Sequence, residues 1–100
     1  MPDYLILMHD DVDDPADDGS TGWQSYIERL QALGNFQGGS AIGDGTCLRK
    51  SGRAAALTSH LVGYIRIEAD SLAHVGKLVS GNPVYEAGGT VEIRELPKTD

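Results

Sequence analysis

The sequence is poor in cysteine, in positive charge and in long apolar runs, and each shortage removes a class of protein. One cysteine, Cys47, among 100 residues cannot close an internal disulfide, which favours a reducing compartment. Eight Lys and Arg stand against fifteen Asp and Glu, a formal charge of −7. Nucleic acid is bound by cations that displace counterions from phosphate, and these are too few, so it is excluded as a partner. Anionic membrane surfaces are disfavoured for the same reason. No apolar stretch approaches the roughly 20 residues that span a bilayer. The opening Met-Pro-Asp-Tyr-Leu-Ile-Leu-Met lacks the basic start of a secretory signal, so the expected location is cytoplasmic. What is present suffices for a core. Forty per cent of the chain is hydrophobic, at a length typical of one domain, so residues 1–100 are read as a single domain.

The chain contains no repeat and no linker, and one biased segment. Residues 10–19 hold six aspartates, Asp10, Asp11, Asp13, Asp14, Asp17 and Asp18, which repel one another and must stay solvated. This acidic loop is inserted between a first strand, Tyr4 to His9, and a first helix. Trp23, Tyr26, Ile27, Leu30 and Leu33 recur at helical spacing, Thr21-x-x-Gln24 has the form of a capping box, and Gly34 stands where a left-handed C-terminal cap belongs. Phe36 to Ile42, with Gly38-Gly39 inside, predicts a bent strand. Gly43-Asp44-Gly45 predicts a turn, with Thr46 to Arg49 returning as its partner. Residues 52–59 are irregular. His60 to Glu68 alternates cleanly: Leu61, Ile65 and Ile67 on one side, Val62, Tyr64, Arg66 and Glu68 on the other. Asp70-Ser71 caps a second helix that ends at Gly81, and Thr90 to Leu96 forms the last strand.

The predicted order is β-α-β-β-β-α-β, and two helices over a split βαβ sheet define the ferredoxin-like α+β arrangement, with an antiparallel sheet. Two helices cover one face. The other keeps Val62, Tyr64 and half of the first strand, and a second copy packed sheet to sheet in an isologous homodimer covers it economically.

These residues resemble a known family. The Tyr-Leu-Ile-Leu-Met-His strand, Trp23-x-x-Tyr26, Gly38-Gly39, the run Gly63 to Leu72 and the ending Gly88-Gly89-Thr90-Val91-Glu92-Ile93-Arg94-Glu95-Leu96 are similar to YCII-related domains. The likeness is to the branch named for an Asp-Gly-Pro-Phe (DGPF) motif. That signature is missing: the chain reads Gly52-Arg53-Ala54-Ala55-Ala56-Leu57-Thr58-Ser59-His60 in its place. The resemblance implies a dimeric α+β barrel. It also implies that a histidine closing the first strand, here His9, forms an acid–base pair with a nearby aspartate, acting on small aromatic or lactone compounds. The first helix offers no aspartate for that role.

The residues themselves also single out His9. It ends a strand beside a loop and shares parity with Leu5 and Leu7, and imidazoles as a class exchange protons near neutrality. The bland alternative is a hydrogen bond to backbone, Asp10 or Asp11. His60, Tyr64 and Arg66 share one parity and form a candidate polar cluster, His60 and Tyr64 being candidate ligand-binding residues. Trp23, on the first turn beside the acidic loop, is either core or pocket mouth. Arg49 is a candidate clamp for a carboxylate ligand, and Arg53 a surface cation. Cys47 has no neighbour to activate it as a nucleophile. Three His, one Cys and ten Asp fall into no metal-ligand spacing. The acidic loop also fails the calcium-loop pattern: with Gly19 as its glycine, the third position is Ala16 and the twelfth Ser25. Neither metal nor cofactor is expected.

Two functions fit. One is a small cofactor-independent lyase or isomerase acting on a small cyclic or aromatic acid, with His9 as acid/base. The alternative is a non-catalytic dimeric ligand-binding or interaction module that keeps the fold without the chemistry.

Overall fold

The alternation read in the sequence fixes the two faces of a four-stranded sheet. A computed structural model describes residues 1–14 and 16–98; Pro15 of the acidic segment and positions 99 and 100 of the single domain expected from the sequence lie outside the described residues. The elements are β1 (Asp3–His9), α1 (Trp23–Ala32), β2 (Phe36–Ala41), β3 (Leu61–Glu68), α2 (Leu72–Leu78), α3 (Pro83–Glu86) and β4 (Val91–Leu96). The sheet order is β2-β3-β1-β4 with every neighbouring pair antiparallel. β3 lies between the parallel β1 and β2, the split βαβ of the ferredoxin-like α+β fold.

β1 is central and its burial alternates strictly. Tyr4, Ile6 and Met8 are buried under the helices, while Leu5, Leu7 and His9 lie half-buried on the open face. In register beside them, Ile65 and Ile67 of β3 join the helix side, where Tyr26 and Leu30 of α1 and Val75 and Leu78 of α2 close the core. α1 is held to α2 at its far end. Tyr26 Oη donates to the carbonyl of Leu78 at 2.9 Å, and the Arg29 guanidinium donates to the carbonyls of Leu78 and Ser80 at the α2 C-terminus, where a cation is favoured. Gly34 adopts φ 80°, the left-handed stop expected of it. At the β2 bulge, the register shifts between Phe36 and Gly38. Gly39 lies so close to β3 that a Cβ there would stand 2.6 Å from the Tyr64 carbonyl oxygen.

Three local expectations fail. Thr46 to Arg49 forms no strand: residues 42–60 carry neither helix nor strand, the outer edge of β2 stays unpaired among the described residues, and Leu48 is 91% exposed with nothing packed on it. The Thr21 capping box does not form, since Gly22 is the N-cap at φ 91° and Gln24 donates to Glu28 instead. The second helix does not run to Gly81: α2 stops and a third helix, α3, begins, capped by Asn82, whose Oδ1 accepts from the N–H of Val84 and Tyr85. Asn at the cap followed by Pro at the first helical position is a start signal for a separate helix just past Gly81. Ser71 caps α2 as expected, its hydroxyl accepting from His74 N–H at 3.2 Å.

Candidate functional site

Each of the four strands brings one of its ends to the same side of the sheet. The C-termini of β1 and β2 and the N-termini of β3 and β4 meet there, and the acidic segment leaves from the same place. Two backbone bonds seal this edge: His9 N–H donates to the Thr90 carbonyl at 3.0 Å and Asp10 N–H to the His60 carbonyl at 2.6 Å. His9, the last residue of β1, is thereby fixed between the starts of β3 and β4.

The side chain of His9 meets Glu92 of β4, with Nε2 to Oε1 at 2.9 Å. The register explains the meeting. Glu92 pairs with Leu7, two positions before His9 on the same parity, so both side chains stand on the open face. The His60 ring lies beside that of His9, centroids 4.9 Å apart and planes tilted by 51°. Arg94 reaches the second oxygen of Glu92 at 3.1 Å. Together, the hydrogen bond from His9 and then that from Arg94 hold the Glu92 carboxyl below its ordinary value, so it is ionised near neutrality. An ionised carboxylate only accepts hydrogen bonds, so the proton of the His9 ring sits on Nε2 and the neutral ring keeps its lone pair on Nδ1. A carboxylate behind a histidine orients the ring and stabilises the cation formed when it takes a proton. Asp11 adds a second negative charge. Its carboxylate accepts from the Thr90 hydroxyl at 2.6 Å and the Thr90 N–H at 2.7 Å, bonds that hold it below the usual carboxylate range.

His9 also lines a cavity of about 570 Å³. Its apolar wall includes Trp23 and Ile27 from α1, Phe36 from β2 and Ile65 from β3, and Asp10 and Asp18 stand at its acidic side. Glycine makes the room: Gly39 and Gly63 line it without side chains. Trp23 is pinned by its Nε1–H, which donates to the Gly19 carbonyl at 3.0 Å, and it meets Tyr26 edge-on. The acidic segment that frames the mouth is folded by its own aspartates. Asp14, Asp17 and Asp18 each accept from the N–H two residues on, a chain of local turns that uses the charges without burying them.

Of the residues singled out in the sequence, His9, Trp23 and Tyr64 line the cavity, and His60 lies against His9 but does not line it. Arg49 is not brought to this site. It is exposed in the irregular 42–60 segment, where its guanidinium donates to the Arg53 carbonyl at 3.3 Å, and no Lys or Arg lines the cavity. Arg66 pairs with Asp3 at 3.1 Å at the other end of the sheet, away from His60. Sequence reasoning missed Glu92, which is 83 positions from His9. Its signal was present: Glu92 and Arg94 alternate with Val91 and Ile93, which marks them as the outward pair of the last strand. The described residues hold no group of three or more His, Cys, Asp or Glu placed to bind a metal ion. No described helix is long and apolar enough to cross a membrane.

The fold is shared with a solved enzyme. The chain superposes on 5-chloro-2-hydroxyhydroquinone dehydrochlorinase from Burkholderia phenoliruptrix, solved in complex with 2,5-dihydroxybenzoquinone. The TM-score is 0.58 over 97% of this chain and 95% of that one, at 20% identity. At that identity the likeness establishes the ferredoxin-like fold and nothing finer. No protein-family model matches the sequence. No curated protein matches it either.

Proposed function

We propose that the chain is a YCII-related, cofactor-independent enzyme of the lyase or isomerase type that acts on a small hydroxylated ring, with His9 as its acid/base. The observation that carries this reading is the 2.9 Å bond between Glu92 and His9, the member of the pair that lines a cavity of about 570 Å³. Nδ1 of His9 takes a proton from the ring-bound substrate, and Glu92 stabilises the resulting imidazolium. The same proton returns to a neighbouring carbon or to the leaving group, so the reaction needs no outside oxidant or reductant. Tyr64 and Trp23 line the cavity and contribute to binding, and His60 acts on the ligand through the His9 ring it lies against. A carboxylate on the substrate is not required, because the cavity carries no cation to hold one and Arg49 stands elsewhere. A neutral phenolic or quinoid ring suits an apolar wall with acidic groups at its mouth, and the ligand of the structural neighbour is of that kind.

The active form is a cytoplasmic homodimer joined through the open sheet face, where Leu5, Leu7, Val62 and Tyr64 remain half-buried or exposed in the single chain. The single domain is the functional unit of each protomer. Purified protein is to be incubated with 5-chloro-2-hydroxyhydroquinone and unchlorinated trihydroxybenzenes, following ultraviolet absorbance and chloride release. Wild type turns over at least one of them, and His9→Gln and Glu92→Gln fall by about a hundredfold or more. Ligand binding without turnover in the wild type supports the non-catalytic binding module instead.

A further inference from the structure

The segment 42–60 is the largest feature that the site leaves unused. Its 19 residues carry no helix or strand and are exposed except at Cys47 and Ala54. Connections longer than about 12–15 residues without structure of their own are uncommon inside a compact domain. This one is also apolar at its tip, with Leu48 91% exposed, and Leu57 and Ile42 are open to solvent as well. It carries Arg49, Lys50 and Arg53 against one carboxylate, Asp44, in a chain that is otherwise strongly acidic. The molecule shows the cost in surface. Its radius of gyration is 15.0 Å, against about 13 Å for a compact domain of this length. Its accessible surface is 6796 Å², against about 5,500 Å² for a compact monomer of its mass. The surplus exceeds the roughly 800 Å² that each partner buries in a standard interface.

The complement lies at the cavity mouth. Residues 10–18 carry six aspartates and no cation, and among the described residues none of them pairs with Arg49, Lys50 or Arg53 of the same chain. We propose that the 42–60 arm of one copy docks on the acidic rim of a second copy. Leu48 of the partner subunit covers the apolar mouth near Val12 and Trp23, and the partner's Arg49, Lys50 and Arg53 neutralise Asp10, Asp13 and Asp14. The site is complete only in the dimer, since the arm that closes each cavity comes from the other chain. This rests on the homodimer proposed above and adds the element that closes each site.

A charge-swap pair tests it by light scattering and sedimentation at 0.15 M salt. One variant reverses the arm (Arg49→Glu, Lys50→Glu, Arg53→Glu) and the other reverses the rim (Asp10→Lys, Asp13→Lys, Asp14→Lys); all six side chains are exposed, and circular dichroism checks the folds. Each variant alone dimerises at least about tenfold more weakly than wild type, and a 1:1 mixture recovers wild-type association, because both arm–rim contacts are then complementary again. A wild-type dimer with both variants unaffected overturns arm docking and leaves the sheet-to-sheet dimer standing. An arm that closes over its own cavity gives that same result. A monomeric wild type at 100 µM removes the dimer and the docking together.

Discussion

The two faces of one sheet are built from the same strands and do opposite work. On the helix side, Tyr4, Ile6, Met8, Ile65 and Ile67 are buried to 4% exposure or less, with only apolar neighbours in the cluster around them. One residue along each strand, the open side presents Leu5, Leu7, Tyr64, Arg66, His9, Glu92 and Arg94, and the His9–Glu92 pair and both outward arginines are there. Alternation at period two thus places the packed core and the His9–Glu92 pair on opposite faces of a single element. A shift of one residue in the β1–β4 register would place His9 and Glu92 on opposite faces.

The comparison is broken most strongly by cutting the buried face. Ile6→Ala, at a fully buried position, lowers the unfolding free energy by about 2–5 kcal/mol, whereas Leu7→Ala beside it costs only about 1 kcal/mol in the monomer. Urea titration at low protein concentration separates the two. At higher concentration the Leu7 variant loses more if the open face is a dimer interface, because the same methyl groups are then buried twice.

A smaller effect comes from the thin place in the sheet. Gly39→Ala puts a Cβ against the Tyr64 carbonyl, a backbone atom that cannot swing aside, so β2 must move off β3. The expected loss is about 1–3 kcal/mol, together with weaker binding of any ring compound, since Gly39 is part of the cavity wall. Thermal melts and ligand titration read the two losses.

The smallest effect sharpens the electrostatic side of the comparison. The folded Glu92 carboxyl lies below its ordinary value of 4.5 because His9 and Arg94 bond its charged form. Its contribution to stability is therefore fully present above that ordinary value and is lost as the pH falls through the lowered folded one. Urea midpoints followed from pH 7 to pH 3.5 decline less for Glu92→Gln than for wild type. Equal declines would mean that the pair does not form in solution.

How much of this was legible in the sequence depends on which neighbours a residue meets. The buried face of α1 and the alternation in β1 and β3 are local patterns, and Tyr26 and Leu30 are buried where the spacing put them; Leu33, read as the last residue of the same stripe, is instead 58% exposed, because the helix ends at Ala32. Thr46 to Arg49 had the composition of a strand, yet it does not pair with the free outer edge of β2, and composition alone does not supply a partner. α3 was hidden by an Asn-Pro pair that serves equally as a turn and as a helix start. At the site, His9 and His60 were visible as strand-end histidines, but their meeting depends on the β1–β3 register. Glu92 joins them from the far end of the chain through the β1–β4 register. Arg49 was chosen for its charge alone, and charge does not fix position in an irregular segment.

The central claim is that His9, backed by Glu92, faces a small-ring ligand at the cavity edge. The three histidines make a direct test possible, since His74 lies on α2 beside Asp70 and Ser71, away from this edge. Imidazole proton resonances, assigned with single His→Gln variants, are to be followed during titration with 2,5-dihydroxybenzoquinone. The account predicts saturable shifts of His9 and His60, a fixed His74, and weakened shifts in Glu92→Gln. Shifts confined to His74, or none at saturating ligand, would contradict it.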